Sequence, residues 1–212
     1  MMIKVCGLTR REDVEAAVRH GATAIGFVFW PGSPRRVAPD VAAAIVRSLP
    51  AEVLTVGVFV DESLAVMRDV SATVGLRAIQ LHGNEPSSYA QVLDFQVLKA
   101  LGVGQVAEAP GWPADTLILL DAIDPVSRGG TGTRVDWIAA ADVAKSRRVV
   151  LAGGLTPENV SEAVTVVRPF GVDVSSGVER SPGIKDEDKV RRFVTEARQA
   201  FERLRHDEER RV

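Results

Sequence analysis

The chain carries one cysteine, Cys6, in 212 residues, and three histidines, His20, His82 and His206. A lone cysteine cannot close an internal disulfide, and histidines this far apart lack the spacing of a zinc motif, so neither a disulfide nor a metal is expected to hold the fold. Long hydrophobic runs are missing too. Nothing approaches the roughly 20 apolar residues of a membrane-spanning helix, and Met1-Met2-Ile3-Lys4 is not followed by a signal-peptide apolar region. The sequence therefore predicts a cytoplasmic protein with no membrane contact. Charge is balanced, 26 Lys and Arg against 28 Asp and Glu for a net of −2. No overall field then draws the chain to nucleic acid, and any anion site must be local.

What is present is ordinary for a globular protein, with 46% hydrophobic and 25% charged residues, and the length favours one domain with one core. Short β-branched runs alternate with amphipathic stretches from end to end, the pattern of βα units joined into a parallel sheet. The predicted strands are Ile3 to Val5, Ala24 to Phe29, Leu54 to Val60, Ala78 to Leu81, Gln96 to Ala100, Thr116 to Leu120, Val149 to Ala152 and Val172 to Ser175. The predicted helices are Arg11 to His20, Pro39 to Ser48, Leu64 to Ser71, Ser87 to Val92, Val106 to Ala109, Val135 to Ala144, Pro157 to Val167 and Asp186 to Arg205. In the first helix Asp13, Glu15 and Arg19 oppose Val14, Ala17 and Val18. Thr156 caps the seventh, with Pro157 at its first position.

Eight such units fit a single α/β domain of the (βα)8 TIM-barrel type over residues 1–205, followed by a charged tail over 206–212 that frays into solvent. Closure also removes exposed sheet edges. The competing open, doubly wound sheet usually carries a Gly-x-Gly-x-x-Gly turn after its first strand, and here that turn reads Cys6-Gly7-Leu8-Thr9.

In a barrel of this type reactive groups stand at the C-terminal ends of the strands. Cys6 follows the first strand; it reads either as a small buried hydrophobe or as a thiol facing the barrel mouth that acts as a base. Asp121 closes Leu117-Ile118-Leu119-Leu120, and a carboxylate there must be solvated, paired or functional. Asp61 reads as a helix cap ahead of Glu62-Ser63-Leu64. Lys99 reaches an anion or is satisfied inside the barrel. Gly153-Gly154 after the seventh strand and Ser176-Gly177 after the eighth would let backbone N–H groups approach a phosphate. Gly129-Gly130-Thr131-Gly132 reads as a flap or as a plain loop. Arg35 and Arg36 could pair with a substrate carboxylate or lie solvated at the surface.

These pieces occur in a familiar order. Lys4-Val5-Cys6-Gly7-Leu8-Thr9, Gly26-Phe27-Val28-Phe29, Gln80-Leu81-His82-Gly83, Leu119-Leu120-Asp121, Gly153-Gly154-Leu155 and Asp173-Val174-Ser175-Ser176-Gly177-Val178-Glu179 together resemble the phosphoribosylanthranilate isomerases. The resemblance covers nearly the whole barrel. It implies a cofactor-free Amadori rearrangement in tryptophan biosynthesis, with a small phosphorylated molecule as substrate and a monomer or homodimer as the working form. It also implies that Asp121 is the general acid that opens the ribose ring and Cys6 the base at the sugar C2. An ordinary thiol ionises at about 8.5, so that role calls for some stabilisation of the thiolate. Arg35 would lie near the anthranilate carboxylate, backbone groups around Gly153-Gly154 and Ser176-Gly177 would hold the phosphate, Asp173 and Ser175 would also bind substrate, and His82 would be in support. Arg36 departs from an aromatic residue found in some relatives. The rivals are another sugar-phosphate reaction on the same barrel and a catalytically silent sugar-phosphate binder.

Overall fold

The computed structural model describes residues 1–122 and 136–210; the glycine-rich stretch at Gly129 to Gly132 and the start of the sixth predicted helix at Val135 lie outside them. Eight parallel strands close into a barrel in chain order: β1 (Met2–Cys6), β2 (Ala24–Val28), β3 (Leu54–Phe59), β4 (Ala78–Leu81), β5 (Gln96–Gly102), β6 (Leu117–Asp121), β7 (Val149–Leu151) and β8 (Gly171–Val174). Every strand lies within two residues of its expected bounds. Pairing of β1 with β8, in which Lys4 stands opposite Asp173, completes the ring.

The outer layer comprises α1 (Arg11–His20), α2 (Pro39–Val46), α3 (Leu64–Val74), α4 (Ser88–Val92), α5 (Trp137–Ala144), α6 (Val160–Val167) and α7 (Glu187–Glu209). Between β5 and β6 the expected fifth helix is instead a 3-10 helix over Val103–Gly111. Pro110 lacks an N–H and Gly104 favours no helix, so this stretch takes the tighter form that suits short connectors. After β8 come a 3-10 turn at Ser176–Val178 and a small antiparallel pair, β9 (Glu179–Ser181) and β10 (Ile184–Lys185).

Three local expectations change. Asp13, expected on the exposed face of α1, is buried: it takes a forked ion pair from Arg10 at 3.1 and 2.7 Å and the amide of Lys185 at 3.0 Å. Helix α6 begins at Val160, after a turn in which the Thr156 amide donates to Asn159 Oδ1 at 2.8 Å and the Thr156 hydroxyl accepts from the Glu158 amide at 3.3 Å. Helix α7 continues to Glu209 rather than ending at Arg205, and an exposed ion pair from Arg168 to Glu208 joins its charged end to the αL residue that terminates α6.

The barrel has two cores, separated by the period-2 alternation of the strands. Outward residues such as Ile3, Val5, Ile25, Phe27, Ile118 and Leu120 pack against the helices. Inward residues fill the barrel itself, and they change character with height. The lower interior is apolar, built from Met2, Ala24, Val56, Leu98, Leu117 and Val150 among others. Higher up the inward positions turn polar: Lys4, Gln80 and Asp173, then Cys6, His82 and Asp121, all buried. Lys99 follows this alternation but is a polar exception in the apolar outward layer. It neighbours Leu98 and Ala100, which face in, so it faces out, where its ammonium reaches Gly83 O at 2.6 Å and Glu85 at 2.9 Å and lies over the Trp112 ring.

Candidate active site

The upper end of the barrel gathers the titratable side chains that the strand ends promised. Cys6 and His82 stand at or just past the ends of β1 and β4, and Asp121 ends β6; each is less than a tenth exposed. His82 Nε2 lies 3.7 Å from Asp121 Oδ2, while Gln80 Nε2, two residues earlier on the same strand, lies 2.8 Å from His82 Nδ1. The carboxyl and the imidazole therefore share one pocket across the barrel mouth.

Burial pushes the Asp121 carboxyl up to about 6, and the negative charge of Asp173 adds to the rise; a backbone N–H at Ala122 and the positive charge of Lys4 oppose it. A carboxyl with a value near neutrality holds a proton that it can give away, the property that a general acid needs. Cys6 is also pushed up, by burial first, while Lys4 and Lys185 pull its thiol back down and Asp173 adds to the rise. A base at this position calls for a stabilised thiolate. Here the stabilising charges are in place but burial outweighs them, so the thiol is held as S–H.

Lys4 is a functional candidate that reading the sequence alone leaves unassigned. It is fully buried inside the barrel, and its ammonium donates to Asp173 Oδ2 at 3.0 Å. The signal is there: Lys4 precedes Cys6 by two residues on one strand, so both must face the same way. Asp173 sits beside that ammonium, lower in the barrel than the glycine loops grouped with it. Its Oδ1 has no hydrogen-bond partner among the described residues.

The loops after β7 and β8 meet above it. Gly153 and Gly154 adopt φ of 75° and 66°, left-handed values that glycine alone adopts freely. A Cβ on Gly177 would collide with the carbonyl oxygen of Leu155, so the two loops touch backbone to backbone at that point. The N–H groups of Gly153 and Gly154 donate to no other described residue. Ser175 and Ser176 are half-buried beside them, and the Ser175 hydroxyl crowds Gly7, which follows β1, from the β8 side.

Arg35 comes over the same edge. Its stem lies against Gly7, where an added Cβ would stand 2.6 Å from Arg35 Cδ. Its guanidinium forks onto Glu179 at 2.9 and 2.8 Å, and Glu179 also accepts from Lys185 at 2.8 Å and from the Gly183 amide at 3.2 Å. One edge of the guanidinium is thus taken by protein, a pairing that the sequence does not announce, since Glu179 stands there only as the end of a motif. Arg36 is exposed and lines an outer groove with Phe29, Trp30 and Phe59, away from the barrel mouth. Asp61 is not the cap of α3, since Ser63 takes that role through the Val66 amide at 3.3 Å; Asp61 Oδ1 instead accepts from the Asn84 amide at 2.5 Å.

A family model described as N-(5'phosphoribosyl)anthranilate (PRA) isomerase matches residues 3–196. The chain belongs to that isomerase family. A relative from Geobacter sp. (strain M21), named N-(5'-phosphoribosyl)anthranilate isomerase, is 48% identical, with 92% of this chain and 97% of the relative covered. A crystal structure of phosphoribosyl anthranilate isomerase from Thermotoga maritima superposes with a TM-score of 0.88 at 42% identity, covering 94% of this chain and 99% of that one. Another isomerase structure, in complex with reduced 1-(o-carboxyphenylamino)-1-deoxyribulose 5-phosphate, matches with a TM-score of 0.84 at 40% identity over the same shares. The isomerase fold thus spans the whole described barrel, and no helix among the described residues is long and apolar enough to cross a membrane.

Proposed function

We propose that this chain converts N-(5'-phosphoribosyl)anthranilate to 1-(2-carboxyphenylamino)-1-deoxyribulose 5-phosphate, the Amadori rearrangement of tryptophan biosynthesis, and that it does so in the cytoplasm. The observation that carries the reading is a buried carboxyl with a value of about 6 at the end of β6, on the same end of the barrel as a buried thiol at the end of β1, in a chain of this family.

The chemistry needs an acid first. Asp121 gives its proton to the ribose ring oxygen, the bond from that oxygen to C1 breaks, and the anthranilate nitrogen supplies the electron pair that leaves a protonated Schiff base. The Cys6 thiolate then removes the proton from C2. The C–H electron pair becomes the C1–C2 double bond and the C=N pair returns to nitrogen, giving an enolamine. Loss of the O2 proton and gain of a proton at C1 complete the ketone, so the hydrogens balance and no cofactor is required. Asp121 and Cys6 act from strands well apart around the ring, which lets the acid and the base approach different atoms of one substrate.

The phosphate end is assigned to the N–H groups around Gly153-Gly154 and Ser176-Gly177, with Ser175 alongside. Arg35, held by Glu179 over Gly7, is assigned to the anthranilate end, and His82 supports Asp121. Asp173 belongs to the reading through Lys4 rather than through the phosphate.

The test is turnover of freshly made phosphoribosylanthranilate, followed by loss of its anthranilate fluorescence, for the native chain beside Cys6→Ala and Asp121→Asn. Native turnover that falls by about 10²-fold or more in each variant, with phosphate affinity retained, supports the reaction and both roles. No native turnover refutes the reading, and near-native turnover in one variant refutes that residue's role.

A further inference from the structure

Lys4 is buried completely in the centre of the barrel, a position that costs a charged group heavily unless something there uses its charge. One partner is Asp173 Oδ2 at 3.0 Å. The other is Cys6. Lys4 and Cys6 share the inward face of β1, and Gly26 stands opposite Cys6 on β2. A Cβ placed on Gly26 would lie 2.7 Å from Cys6 Sγ and 3.2 Å from both Lys4 Nζ and Cε, so the sulfur and the ammonium close over one bare glycine. Any larger residue there would drive them apart.

We propose that Lys4 is the counter-charge of the Cys6 thiolate, a positioning residue for the proton abstraction, with Asp173 holding its ammonium beneath the sulfur. The proposal rests on the reading of Cys6 as the base and deepens it. The other charges near the thiol are Asp173 on β8 and Lys185 on β10. Lys185 is less suited to the task, because its ammonium already donates to Glu179 at 2.8 Å and to Ser175 O at 3.1 Å. Lys4 has a single carboxylate oxygen besides the sulfur. Burial raises the thiol, and Lys4 is the first of the groups that pull it down.

Because Cys6 is the only cysteine, its ionisation can be read without substrate, from the pH dependence of alkylation by iodoacetamide, with Cys6→Ser as the blank. Lys4→Met should move the midpoint up by about 1 to 3 pH units, the span of a close charge partner. Asp173→Asn should move it down, since a negative charge leaves while Lys4 stays. The double variant Lys4→Met/Asp173→Asn replaces the buried pair with neutral groups, so it remains informative if Lys4→Met alone does not fold; its midpoint should still lie above that of the native chain. A purely structural role for Lys4 would not move the two single variants in opposite directions. Unchanged midpoints in Lys4→Met and in the double variant overturn the proposal. Shifted midpoints combined with an unshifted pH profile of kcat/KM keep the Lys4 pairing and refute Cys6 as the base.

Discussion

Replacing Asp121 with asparagine should make the protein more stable and inactive, and the size of the gain follows from the burial of the carboxyl. The group ionises at an ordinary 3.8 when unfolded and at about 6 when folded. A raised carboxyl favours folding only while protonated: its contribution is complete below the unfolded value and is lost as pH rises through the folded one. The gap of roughly two units corresponds to about 3 kcal/mol held against the native state once both forms are ionised. Asparagine is nearly the same shape and never ionises, so it removes that penalty. Denaturant and thermal melts of both proteins near pH 4 and near pH 8 should give curves that nearly coincide in acid and separate by up to about 3 kcal/mol in base, or about 6 to 12 °C in Tm for a domain of this size. Turnover should fall in parallel, the trade of stability for activity expected where a site is strained by its function. An equal stability difference at both pH values, or a variant less stable near pH 8, would refute the account of Asp121 as a carboxyl raised by burial.

The remaining expectations concern the supports of the site and its titration. Lys99→Met should cost about 3 to 5 kcal/mol in urea unfolding, because it strands the buried Glu85 that it pairs at 2.9 Å; a loss under about 1 kcal/mol would show that the pair carries little. Gly177→Ala should force apart the loops that meet at Leu155, and displacement on the ångström scale should cut kcat/KM by about 10²-fold with a raised KM; native kinetics would show that these loops do not hold substrate. The pH profile of kcat/KM should rise with pH and level off near about 6, because the productive form pairs a protonated Asp121 with an ionised Cys6, and above that value the gain in thiolate is matched by loss of the acid. A profile without that bend would remove Asp121 from the titrating pair.

The strand and helix order was legible because hydrophobic runs and turn signals are local. So were Cys6 and Asp121, since a polar or reactive group that ends an apolar strand is costly to bury unless it is solvated, paired or in use. What stayed hidden was pairing across the chain. Glu179 forks onto Arg35 from 144 residues away, and Asp173 meets Lys4 across 169. Neither pairing leaves a periodic trace. The direction of Lys99 was open for a related reason: alternation fixes which neighbours share a face, but only the closed barrel says which face is inside. The burial of Asp13 on α1 is not legible in the sequence because its distant partner, the Lys185 amide, which it binds besides the nearby Arg10, lies on a hairpin that follows the eighth strand and that no run of apolar residues announces. Lys4 and Gln80, by contrast, can be found by counting back two residues from Cys6 and His82.

Burial acts on both proposed catalytic groups in the same direction, yet it helps one and hinders the other. It keeps a proton on Asp121, which is the state an acid must start from, and it keeps a proton on Cys6, which is the state a base must leave. In the proposed reaction the order of steps resolves the conflict. Ring opening by Asp121 turns the neutral N–C1–O unit of the substrate into a protonated Schiff base, a positive charge created at C1, one bond from the carbon whose proton Cys6 must take. That new cation joins Lys4 in favouring the thiolate, while Asp121, now ionised, is the group that opposes it. A charge that arises only during the reaction lowers the barrier without charging the resting site. Burial and fixed charge are then parts of one arrangement: the first lifts Asp121, and the second, in Lys4, is the cation through which a buried thiol can still ionise.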